Sequence, residues 1–132
     1  MNSVRVGVGV CIFKDRQILL GRRQKSSAQG VDTWSPTGGK LEFGESFADC
    51  ARRETLEEAG IIISEPTFIT CTNDIFETEH FVTIYVLANW ASGEPTVLEP
   101  DKMAEWDWFA WDKMPEKLFM PFSNLIKSGF KP

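Results

Sequence analysis

The stretch from Ser46 to Ile61, "SFADCARRETLEEAGI", dictates a helix and then poses a problem for it. Ser46 followed three residues later by Asp49 has the form of a capping box, which starts the helix at Phe47. It runs to about Ala59, and Gly60 supplies the C-terminal stop. With 3.6 residues per turn, Glu54, Glu57 and Glu58 fall within about 100° of arc. Like charges three and four apart repel and destabilise a helix. A solvated face would tolerate them, yet periodicity puts Glu54 and Glu58 on the side of Phe47, Cys50 and Ala51, opposite Asp49 and Arg52. The acids therefore point toward protein.

Carboxylates in a partly buried patch are costly unless something neutralises them. A hard divalent cation does so, and oxygen-only ligands suit Mg²⁺, with Mn²⁺ as its substitute. These ions keep several waters and are commonly shared between carboxylates and substrate phosphates. Zinc has no ligand cluster to compete with, because His80 is the only histidine and the cysteines lie far apart. Arg53, among the acids, can hold a carboxylate through a bidentate pair or meet a phosphate.

At 132 residues the chain fits one domain, 1–132. Its five Trp and ten Phe belong to a folded core, since disordered chains are poor in aromatics. A net charge of −5 argues against binding a nucleic-acid polymer, whose phosphates are held mainly by Lys and Arg. Cys11, Cys50 and Cys71 are odd in number and sit in apolar surroundings, so they read as core residues in a reducing compartment. No stretch has signal-peptide form or membrane-spanning length, and the expectation is a soluble cytoplasmic protein without a membrane partner.

"VRVGVGVCIF" and "DRQILLGRR" read as two strands joined by a turn at Lys14 to Arg16. The polar run 23–33 reads as a loop, and "GG" at Gly38 and Gly39 marks a turn. "TFITCTNDIF", "HFVTIYVLANW" and "WDWFAW" read as further strands, with a proline-broken loop before the last, and a final helix spans about Pro121 to Ser128. A mixed sheet with helices on its two faces, an α/β or α+β sandwich, follows.

The acidic stretch resembles the Nudix box, G-x5-E-x7-R-E-U-x-E-E-x-G-U, where U is a bulky apolar residue. Gly39, Glu45, Arg53, Glu54, Glu57, Glu58, Gly60 and Ile61 fill its fixed positions. Thr55 stands where the pattern asks for an apolar residue, and in "SPTGGK" Pro36 is displaced by one so that Thr37 precedes the glycine pair. The resemblance implies an α/β/α sandwich with a catalytic loop-helix-loop, hydrolysing a nucleoside diphosphate linked to another group. It implies metal binding by Glu54, Glu57 and Glu58 with the Gly39 carbonyl, and Glu57 or Glu58 as activators of water. Glu99 is a later-loop candidate for base or extra ligand, and Glu45 braces the loop and Arg53.

Further along, "GVGVCIF", "HFVTIYV", "LEPDKMAEWDWFAWDKMP" and "LFMPFSNLIKSGF" are similar to the MutT-like branch of eukaryotic purine nucleoside triphosphate diphosphatases and a broad-specificity plant relative. Mg²⁺-dependent cleavage of dGTP-like or 8-oxo-dGTP-like triphosphates to monophosphate and pyrophosphate is thereby implied, in proteins that are often homodimers. Thr83 and Phe119 would then lie at the base pocket, Phe119 offering a ring for stacking. His80 is read as a surface or pocket-rim residue within reach of phosphate or base. Trp106, Trp108 and Trp111 are read as core and edge packing. Pro121 follows the plant-like form, in which a backbone N–H that could read guanine is missing. Two other readings stand beside this one: an ADP-ribose or NADH-type dinucleotide pyrophosphatase, and a non-catalytic nucleotide-binding module.

Overall fold

In a computed structural model of the protein, residues 2–25 and 29–132 are described. The chain order is β1 (Val4–Lys14), β2 (Gln17–Arg23), β3 (Trp34–Ser35), β4 (Thr37–Lys40), α1 (Phe47–Ala59), β5 (Ile62–Ile63), β6 (Thr67–Ile75), β7 (His80–Ser92), β8 (Met103–Ala110) and α2 (Met120–Lys127).

β1 organises the sheet. Its first half pairs with β4 and its end with β2, both antiparallel, while its other edge runs parallel to β7 from Val4↔His80 to Phe13↔Asn89. The remaining pairings are antiparallel, with β8 and β3 on β2 and with β5 and β6 on β7. Side chains alternate along each strand, so β1 sends Val8, Val10 and Ile12 to one face and Cys11 to the other. The first face packs on α1 through Cys50, Ala51 and Ala59, with Leu19, Val86 and Ala88 beside them. The second packs on α2 through Phe122 and Leu125, with Ile18, Leu20 and Tyr85. This is the α/β/α sandwich. No helix among the described residues is long and apolar enough to cross a membrane.

The β1–β2 turn is a tight two-residue one, with Asp15 and Arg16 at φ 50° and 65°, the positive values that match hairpin twist. Helix α1 has the bounds read from its caps: the Ser46 hydroxyl accepts from the Asp49 N–H at 3.1 Å, and Gly60 sits at φ 71°. Phe47, expected on the packed side, is exposed, because the buried stripe begins only at Cys50, where the sheet lies under the helix.

Gly38 and Gly39 form part of strand β4 and not a turn. A Cβ on Gly38 would stand 2.2 Å from the Val8 carbonyl oxygen, so glycine is what lets β4 lie this close to β1. β8 starts at Met103, ahead of the expected "WDWFAW", and ends before Trp111, because its register on β2 takes in Met103 and Glu105. α2 covers Met120–Lys127, one residue earlier than read. Trp106, Trp108 and Trp111 all pack against the cores, Trp106 on Gly21 at a spacing no Cβ would allow. The loop expected over 23–33 falls at 26–28 outside the described residues.

Candidate active site

A cavity of about 510 Å³ opens beside β4. β1 contributes Gly7, Val8 and Gly9 to its wall, β2 ends there with Arg23, and α1 delivers Glu54, Glu57 and Glu58. β7 adds Thr83 and Tyr85, and the segments before β8 and at the start of α2 add Glu99, Phe119 and Pro121. Residues scattered over nearly the whole sequence therefore meet in one space.

Arg53 organises the acidic end from behind. Its Nε and Nη2 grip Glu45 at 2.7 and 3.0 Å, its Nη1 donates to Glu54 at 2.7 Å and to Glu57 at 3.4 Å, and Nη2 also reaches the Lys40 carbonyl at 3.2 Å. Arg53 is thus a clamp on carboxylates rather than part of the cavity wall. The pairing lowers the Glu45 carboxyl to about 2, chiefly through the Arg53 hydrogen bond and then the Glu42 backbone contact.

Glu58 is different. It is buried, its Oε1 accepts the Gly38 N–H at 2.7 Å, and burial pushes its carboxyl up to about 8, with Glu54 and Glu99 adding to the rise. Burial also raises Glu54, against the pull of Arg53 and with a push from Glu57 and Glu99. Glu99, from the loop before β8, is therefore close enough to feel the helix acids.

The glycine at 39 is required by the same geometry. A Cβ there would lie 2.3 Å from the Glu54 carboxyl carbon, so only a bare backbone lets that carboxylate lie against β4. Next to it, the two places where the chain departs from the Nudix pattern meet. The Thr37 and Thr55 hydroxyls are 3.0 Å apart, and both residues are fully buried. One hydrogen bond thus joins β4 to α1 at the residues next to Gly38 and Glu54 in the chain.

The donor set fits a hard divalent cation in chemistry: carboxylate oxygens, partly desolvated, that raise one another's proton affinity. Among the described residues no three acids, His or Cys converge tightly enough to form a cage. An ion of the Mg²⁺ type does not need one, since it is commonly held by one or two carboxylates together with water and substrate phosphate.

Another part of the cavity lining is aromatic. The Arg23 guanidinium stands 3.9 Å from the centroid of the Phe119 ring, and Phe76 stacks on that ring at 5.9 Å. Arg23 is anchored by donation to the Gln29 carbonyl at 2.9 Å, and burial lowers its proton affinity despite Glu58 and Tyr85. Thr83 lines the cavity, whereas His80 does not: it pairs with Asn73 at 2.5 Å and lines an adjoining groove that shares Phe76 and Glu79 with the cavity. Arg23, Phe76 and Tyr85 were not singled out from sequence. Their one signal was a charged pair, Arg22–Arg23, closing an apolar strand.

Comparison with known proteins adds four findings. The NUDIX domain family matches residues 3–127. An oxidized purine nucleoside triphosphate hydrolase of Danio rerio is 34% identical over 110 residues, 80% of this chain and 66% of that protein. An NAD-capped RNA hydrolase NudC of Stutzerimonas stutzeri is 32% identical over 106 residues, 80% of this chain but 36% of that protein. Among solved structures, a MutT NUDIX hydrolase from Burkholderia pseudomallei superposes with a TM-score of 0.85 at 35% identity, covering 95% of each chain.

Proposed function

The chain belongs to the NUDIX family of hydrolases, and from that premise we propose that its domain, 1–132, is a Mg²⁺-dependent nucleoside triphosphate diphosphatase favouring purine-like bases. One observation carries this reading: a single cavity joins the acidic end at Glu54, Glu57 and Glu58 to an aromatic end at Phe119. Phosphates would occupy the first and a stacked base the second.

Water attacks a phosphorus atom of the triphosphate chain, a new P–O bond forms, and the bridging P–O bond to pyrophosphate breaks, leaving the monophosphate. A bound Mg²⁺ supplies Lewis-acid neutralisation of the phosphate oxygens, and Glu54, Glu57, Glu58 and the Gly39 carbonyl are the groups that would hold it. Glu57 or Glu58 takes the proton of the attacking water, and Glu99 is the further candidate for base or ligand. Arg53 keeps Glu54 and Glu57 from drifting apart, since its Nη1 touches both. Phe119 and Thr83 receive the base.

A second reading, a dinucleotide-type pyrophosphatase yielding two monophosphates, has the likeness to the NAD-capped RNA hydrolase in its favour. A product assay with Mg²⁺ across dGTP, 8-oxo-dGTP, dCTP, dihydroneopterin triphosphate, ADP-ribose and NADH separates them, with Glu57→Gln as control. Monophosphate plus pyrophosphate, lost in the control and on chelation, is the expected result. Cleavage confined to ADP-ribose or NADH would favour the second reading, and nucleotide binding with no turnover would make the protein a binding module.

A further inference from the structure

Behind the aromatic end of the cavity lies a carboxylate that the proposed chemistry does not use. Asp74, on β6, is fully buried. Its Oδ2 accepts from the Thr72 hydroxyl at 2.9 Å and from the Thr83 hydroxyl at 2.5 Å, and its Oδ1 accepts from the Asn124 amide at 2.9 Å. Three elements supply these donors: β6, β7 and α2. Thr72 faces Thr83 directly across the β6–β7 ladder, which brings both hydroxyls to the same carboxylate oxygen. Such an enclosed acid is tolerated only when its oxygens are hydrogen-bonded, and here each oxygen accepts at least one donor.

Of the three donors, Thr83 alone lines the cavity. A carboxylate only accepts, while a hydroxyl has one proton to give and two lone pairs. Once the Thr83 proton is committed to Asp74, a ligand in the cavity that reaches this hydroxyl finds an acceptor and not a donor. The contact at Thr83 therefore has a fixed polarity. Were Thr83 free to rotate, it could serve a base edge of either kind.

We infer that Asp74 is a positioning residue for base selection, locking Thr83 as an acceptor so that the pocket prefers bases carrying a ring N–H or an exocyclic amino group. This rests on the cavity being a nucleotide site. The matched probes are dATP, or dGTP, against the deoxynucleoside triphosphate of unsubstituted purine, whose base offers acceptors and no N–H. The wild-type protein is expected to favour the N–H-bearing base by about tenfold or more in kcat/KM, the scale of leaving one buried acceptor unmatched.

Asp74→Asn can donate to the Thr83 oxygen and release its proton toward the cavity, so the ratio should collapse toward one or invert. Thr83→Val should abolish the preference and Thr83→Ser should keep it. A purely structural role for Asp74 would lower kcat/KM for every base alike and leave the ratio intact. No preference in the wild type, or an unchanged ratio in Asp74→Asn, overturns the inference. If Asp74→Asn does not fold, the Val and Ser variants of Thr83 decide by the same ratio. Should no triphosphate be turned over at all, the proposed activity fails. The inference is then read from equilibrium binding of dAMP and dGMP against the purine deoxymonophosphate, where equal affinities would overturn it.

Discussion

The buried Thr37–Thr55 bond makes a quantitative demand. Both hydroxyls lie in the packed layer between β4 and α1, 3.0 Å apart and fully buried. Replacing one threonine by valine keeps the shape but strands the other hydroxyl away from water, at a cost of about 1.5 kcal/mol. Replacing both removes the two polar groups together and should cost less than about 1 kcal/mol, because an apolar pair of the same shape needs no partner. The coupling between the sites is then about 2 kcal/mol, well beyond the roughly 0.5 kcal/mol within which independent sites add. For a chain of this size, each single variant should lose about 6 °C of melting temperature and the double variant should recover part of that loss. Urea unfolding of the four proteins, with equal m-values as the check on two-state behaviour, measures the cycle. Losses that simply add, or a double variant less stable than either single one, would refute the idea that the two departures compensate each other.

Two further outcomes follow from the acidic end. Glu58 has a carboxyl raised to about 8 in the folded state, so between roughly pH 5 and 8 the native protein holds a proton that the unfolded chain has lost. Without metal, stability should fall as pH rises through that window, by up to about 1.4 kcal/mol per pH unit, and level off above it. Glu58→Gln keeps the acceptor for Gly38 and should abolish the decline in thermal unfolding scans; an unchanged slope would mean that Glu58 does not cause it. In Gly39→Ala the added Cβ, 2.3 Å from the Glu54 carboxyl carbon, displaces the far end of a flexible side chain. The fold should survive while kcat/KM drops about 100-fold, as for an ångström-scale misplacement of a reacting group; near-normal activity would show that the position of Glu54 does not matter.

Local chemistry was the part of this fold that could be read from the chain. Helix α1 was legible to the residue because both of its ends are set by side chains within the segment, the Ser46 hydroxyl and the left-handed Gly60. The long strands were legible from β-branched runs, and the hairpin at Asp15 and Arg16 from its polar break. Gly38 and Gly39 misled because a glycine pair signals a turn locally, whereas here Gly38 serves an approach to Val8, 30 residues away in the chain, and Gly39 an approach to the Glu54 carboxylate. β3 and β5, two residues each, carry no periodicity and exist only because β2 and β7 offer them an edge. The Asp74, Thr83 and Asn124 cluster had no signal, since nothing in a sequence announces that residues 50 positions apart share one carboxylate.

The crowded acids show where sequence reasoning reached farthest and where it stopped. Periodicity demanded a positive partner for Glu54, Glu57 and Glu58, and the structure provides one from the same helix. That partner is one guanidinium divided among Glu45, Glu54 and Glu57. One positive charge does not balance three carboxylates, and Glu58, which accepts the Gly38 N–H and feels Arg23 only as the weakest of its influences, adds a fourth. The excess has two physical outlets. A proton can take it up, as at Glu58, whose carboxyl is raised to about 8 by burial first and by the neighbouring Glu54 and Glu99 after it. A divalent cation can take it up instead, and it must then displace that proton. The two outlets compete for the same oxygens. Cation binding should therefore tighten as pH rises from 6 to 8, in the range where Glu58 loses its proton, and a Glu58→Gln protein should bind more weakly but without that pH dependence.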